Sequence, residues 1–249
     1  MDVEKIWKEE NWTSHARAII ENLNKFPEDS KLILVLRHSH RNEPQGINEK
    51  VHKLRLTPKG HAIAKKFGES LPKSRPIRLF HSIIWRCEET AENIHNGFKS
   101  IGGKSELIGE FLPLYEIGID NDSFLEHINK YHFSEVLLRW ASGFYLPKEW
   151  TPFIQYTQNA AHLIWNQLKD APENGIDIHV THDWHLMTLR FGWFALPPDE
   201  RWVNFNGGFA FSIEKDHILL LDYGEIKPVE IPHWWKKRNN FQNFKSNLF

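Results

Sequence analysis

The sequence predicts an α/β protein: a three-layer α/β/α sandwich with a mostly parallel central sheet and an aromatic-rich lid insertion. Three observations carry this. Strand-like runs at 31–36, 77–80, 104–108 and 177–181 alternate with longer segments of helical periodicity, the rhythm that builds parallel sheets. The first run, Leu32 to Leu36, is apolar at every position, as a strand buried on both faces must be. Three of the runs end abruptly in polar clusters, and open α/β sheets bind ligands beyond the carboxyl ends of their strands.

Residues 3–25 read as one helix, with Trp12, Ala16, Ile19, Ile20 and Leu23 on a single apolar face. Pro27 and Asp29-Ser30 end it before the first strand. After a polar loop at 42–56, Thr57-Pro58 opens a helix over 58–70, Thr as N-cap and Pro at the first helical position. The second strand leads through His81-Ser82 into a helix over 84–97, and Gly102-Gly103 turns the chain into the third strand. Residues 110–150 concentrate aromatics, and seven acidic residues there outnumber three basic ones. They read as the insertion, packed over the sheet edge within a single domain spanning 1–249. Helices follow at 152–169 and 184–192, on either side of the fourth strand. Segments 207–213 and 217–223 read as a hairpin closing the sheet. The Trp234-Trp235-Lys236-Lys237-Arg238 cluster reads as a capping tail.

At 249 residues, 41% hydrophobic and 25% charged, the composition is that of a globular domain. A net charge of -1 carries no footprint of nucleic-acid binding. No apolar run approaches the roughly 20 residues of a membrane span, and the N-terminus lacks a signal peptide's basic start and apolar core. With Cys87 the sole cysteine, no internal disulfide forms. The expectation is a cytoplasmic enzyme with no membrane partner.

The polar clusters are Arg37-His38-Ser39-His40-Arg41, His81-Ser82 followed by Arg86, and Thr181-His182-Asp183. Guanidinium forks match phosphate oxygens bidentately, and a histidine among them is a nucleophile toward phosphorus. Neutral His38 attacks phosphorus, Arg37, Arg41 and Arg86 hold its oxygens, His182 donates a further hydrogen bond, and Asp183 protonates the leaving alkoxide. The guanidiniums supply the positive charge, so the reading needs no metal or cofactor. Its partner is a small-molecule phosphate ester.

These residues resemble the histidine phosphatase superfamily, also called phosphoglycerate-mutase-like. The matches are Arg37-His38-x-x-Arg41-x-x-Pro44, Leu56-Thr57-Pro58-x-Gly60, Ser82-x-x-x-Arg86-x-x-x-Thr90-Ala91-Glu92 and His182-Asp183, in the family's order across 31–190. The resemblance implies metal-independent hydrolysis of phosphate monoesters through a phosphohistidine at His38, with Arg37, Arg41, Arg86 and His182 as the phosphate pocket. The acid-phosphatase branch takes its proton donor directly after the second histidine, here Asp183. The mutase-like branch takes a glutamate after the third strand, where Glu110 and Glu116 lie. The Arg41 and Pro44 positions favour the acid-phosphatase branch. The family's usual glycine after the nucleophile is Ser39 here, which narrows the pocket or adds a hydroxyl to it.

Other readings stand beside this one. Asp183 also suits an N-cap of the following helix. Ser39 and His81 are possible pocket residues, His40 a loop residue near the mouth, and Cys87 core packing. Lys50, Lys53 and Arg55 form a solvated loop or meet a second anionic group. His38, His40 and His182 also suit a metal-dependent amidohydrolase-like barrel, against which the arginines argue. A non-catalytic module binding a phosphorylated ligand, and a phosphomutase within the family, complete the alternatives. Oligomeric state and physiological substrate do not follow from the sequence.

Overall fold

The computed structural model describes residues 1–43, 51–199 and 201–236; Pro44, Lys50, Lys237 and Arg238 lie outside them. Seven strands form one sheet in the order β3-β2-β4-β1-β5-β6-β7. β1 (Leu32–Arg37), β2 (Ile77–His81), β3 (Ser105–Glu110) and β4 (Ile176–Thr181) are mutually parallel. β5 (Gly208–Ile213) runs antiparallel to β1, and β6 (His217–Asp222) and β7 (Glu225–Glu230) continue it as a meander. The sheet is therefore mixed, and β7 extends the predicted hairpin. Its Pro228, opposite Leu219, sits on an edge strand, where a missing backbone donor is tolerated.

Alternation along β1 divides the core. Leu32, Leu34 and Leu36 face α2 (Ser14–Asn22), α3 (Pro58–Ser70) and α4 (Trp85–Ser100). Ile33 and Val35 face the opposite layer, built from α6 (Phe133–Ala141), α7 (Phe153–Asn166) and α8 (Asp183–Phe194). Both faces of the strand are buried, which is why the run is apolar throughout. α5 (Asn121–Lys130) precedes α6 within 110–150. The 110–150 segment packs on α8 through rings: Phe124 and Trp184 lie 5.3 Å apart, Trp140 and Trp184 6.5 Å.

The predicted first helix is two. α1 (Val3–Glu9) ends at an extended Glu10, and a 3-10 turn over Asn11–Thr13 redirects the chain into α2. Thr13 causes the break: its hydroxyl donates to Glu10 O at 2.7 Å and reaches Trp7 O at 3.0 Å, so the side chain satisfies carbonyls that a continuing helix uses itself. The barrel alternative is not the fold, because among the described residues the sheet is open, with β3 and β7 at its edges. Among the described residues, no three His, Cys, Asp or Glu side chains group as metal ligands, and no helix is long and apolar enough to cross a membrane.

Candidate active site

β2, β4 and β1 are adjacent, and their carboxyl ends lie level: Arg37 pairs with Thr181 and His81 with Val180. Three clusters far apart in sequence thus meet at one sheet end. His38 leaves β1 with its N–H on Thr181 O at 2.9 Å. Its ring is 2% exposed, and its Nδ1 lies 2.8 Å from Ser39 O. A carbonyl only accepts, so Nδ1 carries the proton and the Nε2 lone pair is left for chemistry. Burial holds the imidazole well below its ordinary pKa, and the Arg86 and Arg37 guanidiniums push the same way. His38 is therefore neutral.

His182 faces it at 5.5 Å between ring centroids. Arg86 Nη2 lies 3.0 Å from His182 Nδ1. A guanidinium only donates, so Nδ1 is bare and Nε2–H donates to Ser82 Oγ at 3.0 Å. Burial and Arg86 hold this ring neutral as well. Arg86 is on the first turn of α4, so Ser82 and Arg86 together clamp His182 from the β2–α4 connection. Thr90, one turn on, donates to Arg86 O at 2.7 Å and accepts from Ser39 N at 2.9 Å. That bond joins the second motif element to the first.

Arg37 Nη2 meets Asp183 Oδ2 at 2.9 Å, and its Nη1 donates to Val203 O at 2.7 Å. Burial acts to raise the Asp183 pKa, but Arg37 and hydrogen bonds from Trp202 and Trp184 overcome it and hold the carboxyl below its ordinary value. Arg41 donates to Asn42 O at 2.7 Å, and the Nε atoms of Arg37 and Arg41 are buried with no partner among the described residues. Guanidiniums gathered at one strand end have the chemistry to hold an anion.

Solved structures share this fold. Phosphoserine phosphatase from Entamoeba histolytica, in complex with 3-phosphoglyceric acid, superposes with a TM-score of 0.53 at 18% identity, covering 82% of this chain and 98% of that one. A mycobacterial hydrolase matches at 0.51 and 15%, covering 81% and 97%. Mycobacterial glucosyl-3-phosphoglycerate phosphatase matches at 0.50 and 14%, covering 81% and 98%. The chain has the histidine phosphatase fold. No protein-family model matches the sequence, and no curated protein does.

Within this histidine phosphatase fold the remaining candidates take definite positions. Ser39 is fully buried, and its hydroxyl donates to Gly60 O at 2.7 Å. A Cβ on Gly60 would lie 2.2 Å from His40 O, so Thr57-Pro58-x-Gly60 lets α3 press directly on the loop that follows His38. His40 Nδ1 and Thr57 Oγ1 lie 2.9 Å apart, and burial takes the His40 pKa down to about 4. His81 is buried with Nδ1 3.0 Å from Ser82 O. Cys87 Sγ sits 3.7 Å from His182 Nε2, its thiol pushed by burial up to about 12. Glu89 accepts from Leu56 N at 2.9 Å and from Arg55 at 2.7 Å, tying the 55–56 segment to α4. Glu110 and Glu116 line a separate groove, whose walls include neither site histidine.

Sequence reasoning missed Trp202, Phe205 and Tyr115. Phe205 lies under Arg37 at 4.3 Å and beside His38 at 5.7 Å. Trp202 Nε1 donates to Asp183 Oδ2 at 3.2 Å. Tyr115 stacks on His185 at 6.2 Å and reaches His182 at 6.3 Å. All three stand in irregular segments, where no periodicity marks a residue as facing anything.

Proposed function

We propose that this chain is a metal-independent phosphatase that hydrolyses small phosphate monoesters through phospho-His38, with Asp183 as the proton donor of the acid-phosphatase branch. The observation that carries the reading is the tautomer of His38. Its Nδ1 proton is committed to Ser39 O, while burial and two guanidiniums keep the ring neutral. A neutral imidazole with a fixed Nε2 lone pair beside an anion pocket is built to attack phosphorus.

In the first step the Nε2 lone pair forms the N–P bond as the P–O bond to the alcohol breaks. Arg37, Arg41 and Arg86 hold the phosphoryl oxygens, His182 joins them when the bound phosphate takes its Nε2–H from Ser82 Oγ, and Asp183 gives its proton to the departing oxygen. In the second step water attacks phosphorus, Asp183 takes a proton from it, and the N–P bond breaks to return His38 and phosphate. Asp183 is favoured over Glu110 and Glu116 by its bond to Arg37 at 2.9 Å. The 110–150 segment acts as the lid over this pocket within one domain.

Hydrolysis of 4-nitrophenyl phosphate with chelator present tests the reading, alongside rapid acid-sensitive trapping of a labelled phosphoenzyme. Wild type is expected to turn over and to carry an acid-labile, base-stable label; His38→Ala is expected to lose both. Label persisting in His38→Ala, or activity lost to chelator, overturns it.

A further inference from the structure

The strand-end pocket accounts for a phosphate but not for what the phosphate is attached to. Beside it opens a cavity of about 710 Å³, lined by His132, Phe133, Ser134, Pro198, Asp199 and Trp202. Trp202 joins the two spaces: its indole N–H bonds Asp183 Oδ2 at 3.2 Å while the residue walls the cavity. Across the same carboxylate oxygen stands Arg37, at 2.9 Å. The order is guanidinium, carboxylate, indole, cavity. We infer that this cavity is the leaving-group subsite and that it takes an aromatic alcohol or phenol. The inference rests on the phosphatase reading and names the substrate class for it.

Direction comes first. The atom that leaves phosphorus must face the proton donor. The Asp183 side chain keeps 32% of its exposure, so the carboxylate is open rather than sealed behind Arg37. A group departing from an Arg37-bound phosphoryl past Asp183 meets Trp202 next.

The lining then sets the chemistry. Phe133 is 42% exposed, although its ring already lies 6.2 Å from Trp202 and 5.9 Å from Trp184. A flat apolar guest beside Phe133 and Trp202 covers this surface and gains offset ring contacts. Asp199 is neutralised by Arg201 at 2.8 Å. Among the described residues, no lysine or arginine lines the cavity, so a second phosphate or a carboxylate on the alcohol finds no cation there. At the rim, Ser134 N donates to His132 Nδ1 at 3.4 Å. With Nδ1 accepting, the Nε2–H is left as a donor for an oxygen substituent on the guest.

Calorimetric binding of two non-hydrolysable probes, 1-naphthylphosphonate and methylphosphonate, tests the subsite apart from turnover. Wild type is expected to bind the naphthyl probe about tenfold tighter or more, the scale of one buried ring. Phe133→Ala is expected to remove most of that ratio, and Phe133→Leu, which keeps apolar bulk, to remove part of it if the alanine variant does not fold. Leu138→Ala, on the outer face of the same helix and 41% exposed, serves as the control and keeps the ratio. Equal affinity of the two probes for wild type, or a ratio indifferent to Phe133, overturns the subsite. Binding with the expected ratio but no hydrolysis of any monoester overturns the phosphatase reading alone.

Discussion

Asp183 is held to two opposing demands. The proton donor to a departing alkoxide, the role proposed for it, must carry a proton, yet Arg37 and two N–H groups keep its carboxyl below the ordinary value. A bound phosphate dianion resolves the conflict: it competes for Arg37 and adds negative charge beside the carboxyl, and both effects raise the pKa toward protonation. The sign for pH dependence follows. In the free protein the protonated fraction of Asp183 grows only as pH falls, whereas His38 stays neutral because its own pKa is depressed. Turnover of an alkyl phosphate, whose poor leaving group needs the proton, is expected to rise from neutral pH toward acid by up to about tenfold per unit. The profile for 4-nitrophenyl phosphate should be flatter. Asp183→Asn is expected to erase the alkyl slope and cost about 10²–10⁴-fold there, far less on the nitrophenyl ester. Steady-state rates over pH for both esters check this, and equal losses on the two would remove Asp183 from the donor's role.

Helices α3 and α4 hold the site from below, and they touch through glycine. A Cβ on Gly97 would lie 2.1 Å from Lys65 O, a backbone atom that cannot swing aside. Gly97→Ala is therefore expected to cost about 1–3 kcal/mol by forcing the helices apart, read as a lower urea midpoint at unchanged m-value. At this scale much was legible in advance. α3 was placed at 58–70 because Thr57 caps and Pro58 starts it, and the structure has Pro58–Ser70 with Thr57 Oγ1 accepting from Gly60 N at 3.1 Å. β1 announces itself because burial on both faces demands an apolar run, whereas the largely exposed edge strand β3 is marked by the Gly102-Gly103 turn before it. β7 carries no such signal: Glu225, Lys227, Pro228 and Glu230 interrupt any apolar run, since an edge strand needs neither alternation nor every backbone donor. The break at Glu10 was hidden because Thr13 acts through hydrogen bonds, not hydrophobic pattern. Arg37, His38, Arg86, His182 and Asp183 were legible as candidates from strand-end position and from motif order. Trp202 and Phe205 were not, because the contact of Arg37 with Val203 spans 166 residues and a loop closing back on the first strand leaves no local signature.

The sheet divides labour across the molecule. Below it, the α3 and α4 layer carries Arg86, and Thr90 and Gly60 fix Ser39 and with it the loop after His38. Above it, α8 begins with Asp183, and the 110–150 segment leans on Trp184. The two layers meet through the strands and through the Arg86–His182 contact at 3.0 Å, so whether they stand or fall together is a question of cooperativity. Tryptophans answer it, because they are unevenly placed. Trp140, Trp150, Trp165, Trp184, Trp193 and Trp235 belong to the upper core, against Trp7 in the lower. Fluorescence in urea thus reports chiefly the upper layer, whereas far-ultraviolet dichroism reports both. β1 is buried through both cores at once, Leu34 on one side and Val35 on the other. Neither layer can therefore expose its core without stripping the strand that the other needs. The two probes are expected to trace one coincident transition, as a single cooperative unit does. Fluorescence falling at lower urea than dichroism would mean instead that the 110–150 segment and its helices open first, as a unit separable from the phosphate pocket.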